Sequence, residues 1–463
     1  MTHSLVDRPR AKAATVAIWP LRPSDLEAGL AALGPGQAAW ARTNRFAAKQ
    51  GETLLVPDGQ GALACVLLGL GNGDAGAPDR LVAGKLPGLL PEGIYRFAGP
   101  VPEPRLTALA WALGAYRFDR YHKSAGADCR LVTPDGADGP EVRLIADGVA
   151  LARDLINTPS NDMGPDELEA AAARLARGHK AKIVVIKGND LLKRNFPMIH
   201  AVGRASPRAP RLIDMAWGRT GDPKVTLVGK GVCFDTGGLN IKPGNSMALM
   251  KKDMGGAANV LGLASMIMAA RLRVRLRVLI PAVENSISGN AFRPGDVLAS
   301  RKGITVEIGN TDAEGRLVLG DALALADEES PDLLVDMATL TGAARVALGP
   351  DLPPFYTDDE PLAAAIAAKA QAVADPVWRM PLWSPYDAML ESRIADVNHI
   401  SDGAFAGSIT AALFLRRFVD KARAWAHFDI FAWTPKARPG RPFGGEAQAI
   451  RALHALIAER YPR

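Results

Sequence analysis

From residue 182 onward, short β-rich runs alternate with helical patterns, and this alternation constrains the chain more than any other feature. The runs are KIVVIKG, RLIDMAW, KVTLVGKG, RLRVLIPAVEN, ITVEIGN, DLLVDMATL and WAHFDIFAW. Helical stretches separate most of them, which is the signature of a largely parallel sheet with crossover helices. At 463 residues the chain exceeds one ordinary core, so two domains are expected. The expected fold is therefore α/β with two domains, each a mostly parallel sheet flanked by helices. The boundaries read as an N-terminal domain over 1–147, a linker helix and turn over 148–163, and a C-terminal domain over 164–463. Pro165 and Asp166 mark a helix start. The N-terminal part holds strand-like ATVAIW and LACVLLGLG but no motif that carries chemistry.

In parallel sheets ligands gather beyond the carboxyl ends of the strands. The stretch VEIGNTDAEGRLVLGDALALADEE (306–329) places two acids, Asp312 and Glu314, one residue apart at such a position. Carboxylates so spaced repel unless something positive lies between them. Two further acids stand in apolar loop settings, Asp235 in VGKGVCFDTGG and Asp253 in MKKDMGGAANVLGLA. A charge in such surroundings usually has a partner. Two divalent cations would neutralise four converging carboxylates, and paired metals are an effective catalytic device. Lys230, Lys242, Lys251 and Lys252 frame the same loops as counter-ions or as neutral amine ligands. Simpler readings stand beside this one. Lys230 with Asp235 could be a structural ion pair, Asp253 a helix cap, and Asp312 with Glu314 helix-dipole partners. None of the seven histidines falls in these motifs, which argues against ordinary His-based zinc hydrolases.

These motifs resemble those of the leucyl aminopeptidase family, the cytosolic two-zinc exopeptidases. NTDAEGRLVL stands intact at 310–319, and VGKGVCFDTGG, IKPG, MKKDMGGAA, SGNAFRPGDV and TLTGA follow the family's order. The resemblance covers roughly residues 150 to 445. It implies that Asp235 and Glu314 bridge two metals, that Lys230 and Asp253 complete the tighter site, and that Asp312 completes the exchangeable one. It further implies that Lys242 polarises the scissile carbonyl, and that Arg316 holds a bicarbonate acting as general base on a metal-bridging water. Leu340 would offer its backbone carbonyl to the substrate amine, with Met250, Thr339 and Gly342 lining the pocket for the first side chain. The implied metals are Zn2+, or Mn2+ at the exchangeable site. The implied substrates are peptides with leucine or another apolar residue first, and the implied assembly is a homo-hexamer. A DNA-binding regulator and a narrow dipeptidase or Cys-Gly peptidase are the alternatives.

Bulk properties bound the remainder. Three scattered cysteines, Cys65, Cys129 and Cys233, make no disulfide framework and point to a reducing cytoplasm, as does the lack of an apolar signal core. No apolar run is long enough for a membrane span; the longest, 260–270, reads as a buried helix. A net charge of +6 admits DNA as a partner, although no zinc finger or aromatic-basic motif supports it. RLRVRLR (271–277) alternates like a strand with its charges outward. His399 and Ser408, in a glycine-rich turn before a helix, read as structural. The chain closes on an amphipathic helix expected to start near Glu446.

Overall fold

The computed structural model describes residues 4–7, 14–72, 80–122 and 126–463. Two compact units emerge: Met1–Asp147 with Lys436–Phe443, and Gly148–Pro435 with Gly444–Arg463.

The first unit carries β1 (Leu5–Val6), β2 (Thr15–Leu21), β3 (Thr53–Pro57), β4 (Leu63–Gly69), β5 (Gly93–Phe97) and β6 (Cys129–Val132) in the order β1-β6-β5-β2-β4-β3. All pairings are parallel except β3 with β4. In β4 the run Cys65 to Leu68 is buried on both faces, as its unbroken apolar sequence requires.

The second unit holds β7 (Lys182–Lys187), β8 (Arg211–Trp217), β9 (Lys224–Gly229), β10 (Gly231–Asp235) and β11 (Arg275–Asn285). It continues with β12 (Val297–Ala299), β13 (Thr305–Glu307), β14 (Leu333–Ala338), β15 (Pro354–Tyr356), β16 (Trp378–Arg379), β17 (Val397–Asn398) and β18 (Trp425–Asp429). The main sheet runs β16-β15-β18-β14-β9-β11-β8-β7, with β10 paired to β11. Its centre is parallel, whereas β8, β7 and β15 join antiparallel. Helix Glu314–Asp327 packs into the core through Leu317 and Leu323, with Val228, Leu279, Leu334 and Phe414. Each such fully buried side chain contributes about 1.5–3 kcal/mol. Helix Gly255–Ala269 lies almost wholly inside, which explains an apolar sequence with no polar face.

Four expectations change. ITVEIGN supplies β13, which belongs not to the main sheet but to a separate one, β12-β13-β17. RLRVRLR is strand only from Arg275. Arg277 is not turned to water but pairs with Asp214 at 2.7 Å and Glu329 at 3.1 Å, because β8 and the end of helix Glu314–Asp327 bring acids beside it. The last helix spans Ile450–Arg460, not from Glu446: that carboxylate is buried against Arg153 at 3.0 Å, and Ala449 turns left-handed (φ 67°) before the helix. The helix expected from 148 begins earlier, as Gly139–Asn157.

Candidate metal centre

The parallel strands β9, β10, β14 and β18 end on the same side of the sheet, and each delivers a polar residue there. These are Lys230 just past β9, Asp235 closing β10, Thr339 just past β14 and Asp429 closing β18. Lys230 sits in the break between β9 and β10. Its N–H donates to Met337 O of β14, and its carbonyl accepts from Ala257 N. One extra residue, Cys233, bulges in β10 against β11, and the bulge resets the alternation so that Asp235 stands opposite Asn285.

Asp312 lies in a short 3-10 turn, Thr311–Ala313, whose Asn310 side chain accepts from Asp312 N at 2.8 Å. Glu314 then opens helix Glu314–Asp327, where the helix N-terminus favours its charge. Asp253 is the penultimate residue of a 3-10 turn, Met250–Met254, that runs straight into helix Gly255–Ala269. Carboxylate oxygens of Asp235, Asp312 and Glu314 all lie within 4.8 Å of one another.

Two lysines knit this cluster together. Lys230 Nζ stands 2.7 Å from Asp253 Oδ2 and 2.9 Å from Glu314 Oε1, and donates to Thr339 O at 3.0 Å. Lys242 Nζ stands 2.8 Å from Asp235 Oδ2 and 2.5 Å from Asp312 Oδ1. Several of these are close ion pairs without hydrogen-bond angles: Asp253 Oδ2, Asp312 Oδ1 and Glu314 Oε1 lack a well-directed donor. Glu314 Oε2 has no hydrogen-bond partner among the described residues.

Four acids against two lysines leave the cluster short of positive charge, and the titration behaviour shows it. Burial pushes the Glu314 carboxyl well up, reinforced by Asp235. Burial and then Asp235 lift Asp312 to about 6, against the pull of Lys242. Asp253 moves down instead: burial opposes its charge, but Lys230 and Lys252 outweigh it. Both Lys230 and Lys242 are raised, because their acidic neighbours overcome the cost of burial. Divalent cations would supply the missing charge, and carboxylate oxygens are among their usual ligands. The donor set and the orphaned Glu314 oxygen therefore fit two of them.

Of the other expected residues, Arg316 and Thr339 adjoin the cluster, through Glu314 and Asp253 respectively. Arg316 is buried; its Nη1 donates to His399 O at 2.6 Å and its Nε has no hydrogen-bond partner among the described residues. Burial lowers its pKa to about 10, partly offset by Glu314. Thr339 is buried and donates to Asp253 Oδ1 at 2.8 Å. Met250 is half-buried, and a Cβ on Gly342 would meet nothing within 4 Å, so the space beside it is open. His399 is buried, held near neutral-only titration (pKa about 3) first by burial, and bonded to backbone at Gly309 and Asn310. Ser408 bonds Tyr356 and Asp429. Cys233 is fully buried and burial pushes its thiol well up, which removes the thiolate that oxidation needs.

Sequence reasoning missed three supports. Asn285 Nδ2 donates to Asp235 Oδ1 at 2.8 Å and to Thr311 O at 3.0 Å, tying two strand ends to the Asp312 turn. Thr311 Oγ1 donates to Gly237 O at 2.7 Å. Asp429 accepts from Leu340 N, Thr341 N, Thr341 Oγ1 (2.6 Å) and Ser408 Oγ, and so fixes the loop that carries Thr339 and Leu340. The one signal for Asp429 was an acid closing an otherwise apolar strand.

Carboxylates and lysines gathered at the carboxyl ends of a parallel-centred sheet define the class: a metal-dependent hydrolase on an α/β scaffold. The chain belongs to the cytosol aminopeptidase family and is an aminopeptidase. The catalytic-domain model of that family matches residues 150–454, and the M17 aminopeptidase N-terminal domain matches 16–134. Its fold resembles the crystal structure of a cytosol aminopeptidase from Coxiella burnetii, with a TM-score of 0.93, 44% identity and 99% of both chains covered. A probable cytosol aminopeptidase from Syntrophotalea carbinolica is 38% identical over 447 residues, covering 89% of this chain and 90% of that one. The bottromycin maturation enzyme BotP, solved in complex with Mn, superposes with a TM-score of 0.87 at 32% identity, covering 97% of this chain and 100% of that one. Among the described residues no helix is long and apolar enough to cross a membrane.

Proposed function

We propose that this aminopeptidase removes an apolar first residue, leucine foremost, from peptides, using two metals held by Lys230, Asp235, Asp253, Asp312 and Glu314. The observation that carries the reading is the under-neutralised carboxylate cluster, whose buried Glu314 Oε2 has no hydrogen-bond partner among the described residues. Bound metals would supply Lewis acidity, lowering the pKa of a water and anchoring the free amine. Asp235 and Glu314 would be shared between them, and Asp312 serves the exchangeable position. Lys242, the less buried lysine, offers positive charge where oxyanion charge develops. Arg316 has an unpaired buried Nε, the group a bicarbonate base would need. Leu340 presents its carbonyl to the substrate amine, which orients the peptide for removal of one residue. Met250, Thr339 and Gly342 form the side-chain pocket, where a Cβ on Gly342 would meet nothing within 4 Å.

Zn2+ at the Lys230/Asp253 position, Mn2+ or Zn2+ at the Asp312 position, a homo-hexameric assembly and a cytoplasmic location belong to the same proposal. No observation at this site favours a DNA-binding role or a Cys-Gly peptidase over it. The test compares a leucyl peptide with its N-acetylated form on metal-supplied enzyme. Cleavage of the free peptide alone is expected; equal cleavage of both would overturn the exopeptidase reading.

A further inference from the structure

A cavity of about 620 Å³ opens at the amino ends of β9 and β11, the end of the sheet opposite Lys230 and Asp235. Lys180, Arg219, Arg271, Arg273 and Arg463 line it, with Trp217 and a single acidic side chain, Asp222. None of the five cations, nor Asp222, has an ion pair or side-chain hydrogen bond among the described residues. Helices Pro165–His179 and Gly255–Ala269 both end here. A cation at a helix C-terminus is favourable in itself, so the helix ends must be counted against the cavity's charge. They bring roughly half a negative charge each, and Asp222 one more, so an excess of at least about +2 remains. Charges of one sign gathered in a concave site raise the local concentration of opposite ions.

The backbone adds a second observation. Lys180 (φ 57°) and Arg271 (φ 54°) both adopt the left-handed conformation just past these helices, where glycine or asparagine is usual. Long cations occupy both positions instead. Arg271 and Arg273 come from the RLRVRLR stretch. Its later members, Arg275 and Arg277, are paired with Glu329 and Asp214, whereas these two face the cavity unpaired.

We propose that this cavity binds a small phosphorylated anion carrying a planar ring, of the nucleotide type, at a site separate from the metal centre. Guanidinium forks match phosphate oxygens in pairs. The half-buried Trp217 indole gives the ring a stacking face. The volume suits one small molecule.

The test titrates adenosine diphosphate, adenosine, pyrophosphate and a single-stranded oligonucleotide into the full-length, metal-loaded protein by calorimetry. The expected result is that adenosine diphosphate binds about tenfold or more tighter than adenosine or pyrophosphate. In R271E/R273E that binding weakens by about tenfold or more, while hydrolysis of leucine p-nitroanilide is unchanged and reports an intact fold. In W217L the advantage of the diphosphate nucleotide over pyrophosphate disappears. Absent binding, equal binding by wild type and R271E/R273E, equal affinity for pyrophosphate, or tighter binding of the oligonucleotide would each overturn the assignment.

Discussion

Gly315 lies directly against Lys230: a Cβ at position 315 would stand 2.6 Å from Lys230 Cε and 2.8 Å from its Nζ. The glycine between Glu314 and Arg316 thus leaves room for the ammonium that reaches Asp253 and Glu314. Gly315→Ala is expected to push Lys230 aside, costing about 1–3 kcal/mol of stability by overpacking. Metal affinity should fall together with activity. Thermal unfolding and metal titration check this; an alanine variant with wild-type metal affinity would dissociate Gly315 from the site.

Lys242 touches both Asp235 and Asp312 but is not the buried linchpin that Lys230 is. Lys242→Ala should lower kcat by about 100-fold or more, as for loss of a charge-stabilising donor, while bound metal changes little. Steady-state kinetics with metal analysis separates the two effects. Unchanged kcat would remove Lys242 from the chemistry.

The pH dependence follows from Asp312, lifted from its ordinary 3.8 to about 6 first by burial and then by Asp235. A raised acid contributes stability to the metal-free fold that is fully present below the unfolded value and is lost as pH rises through about 6. Metal binds the ionised carboxylate, so binding at low pH must displace this proton. The rise in Tm on adding Mn2+ should therefore be small at pH 5 and grow towards pH 7. A rise in Tm that is constant across this window would contradict the assignment.

Asp429 holds the loop after β14 through the N–H groups of Leu340 and Thr341 and the Thr341 hydroxyl. Asp429→Asn keeps the shape but turns one acceptor into a donor facing donors, a mismatch worth about 1–3 kcal/mol. We expect kcat/KM for leucyl substrates to fall about tenfold or more, carried mainly by KM, because the loop bears Leu340, whose carbonyl is proposed to face the substrate amine. A KM equal to wild type would show that the loop holds without it.

What was legible in the sequence was the chemistry of the cluster and the alternation that builds the sheet. Acids with apolar neighbours, such as Asp235 and Asp253, announce themselves because burial without a partner is so costly. The helix Gly255–Ala269 was equally plain, an apolar run with no polar face. Register was not legible. The bulge at Cys233 decides that Asp235 meets Asn285, yet a bulge leaves no mark in hydrophobic patterning. Arg277 read as a solvated charge because its partners, Asp214 and Glu329, are distant in sequence and brought beside it only by strand order and by the end of helix Glu314–Asp327. Asp429 was overlooked for the same reason: its importance lies in the backbone it accepts from, on a different strand's loop.

The most direct measurement is hydrolysis of leucine p-nitroanilide by protein stripped with a chelator and then resupplied with Mn2+ or Zn2+. Activity should vanish on stripping and return with metal in the wild type, and Glu314→Gln should fail to recover at the same metal concentration. Full activity in the stripped protein, or full recovery by Glu314→Gln, would contradict a reaction built on this carboxylate cluster.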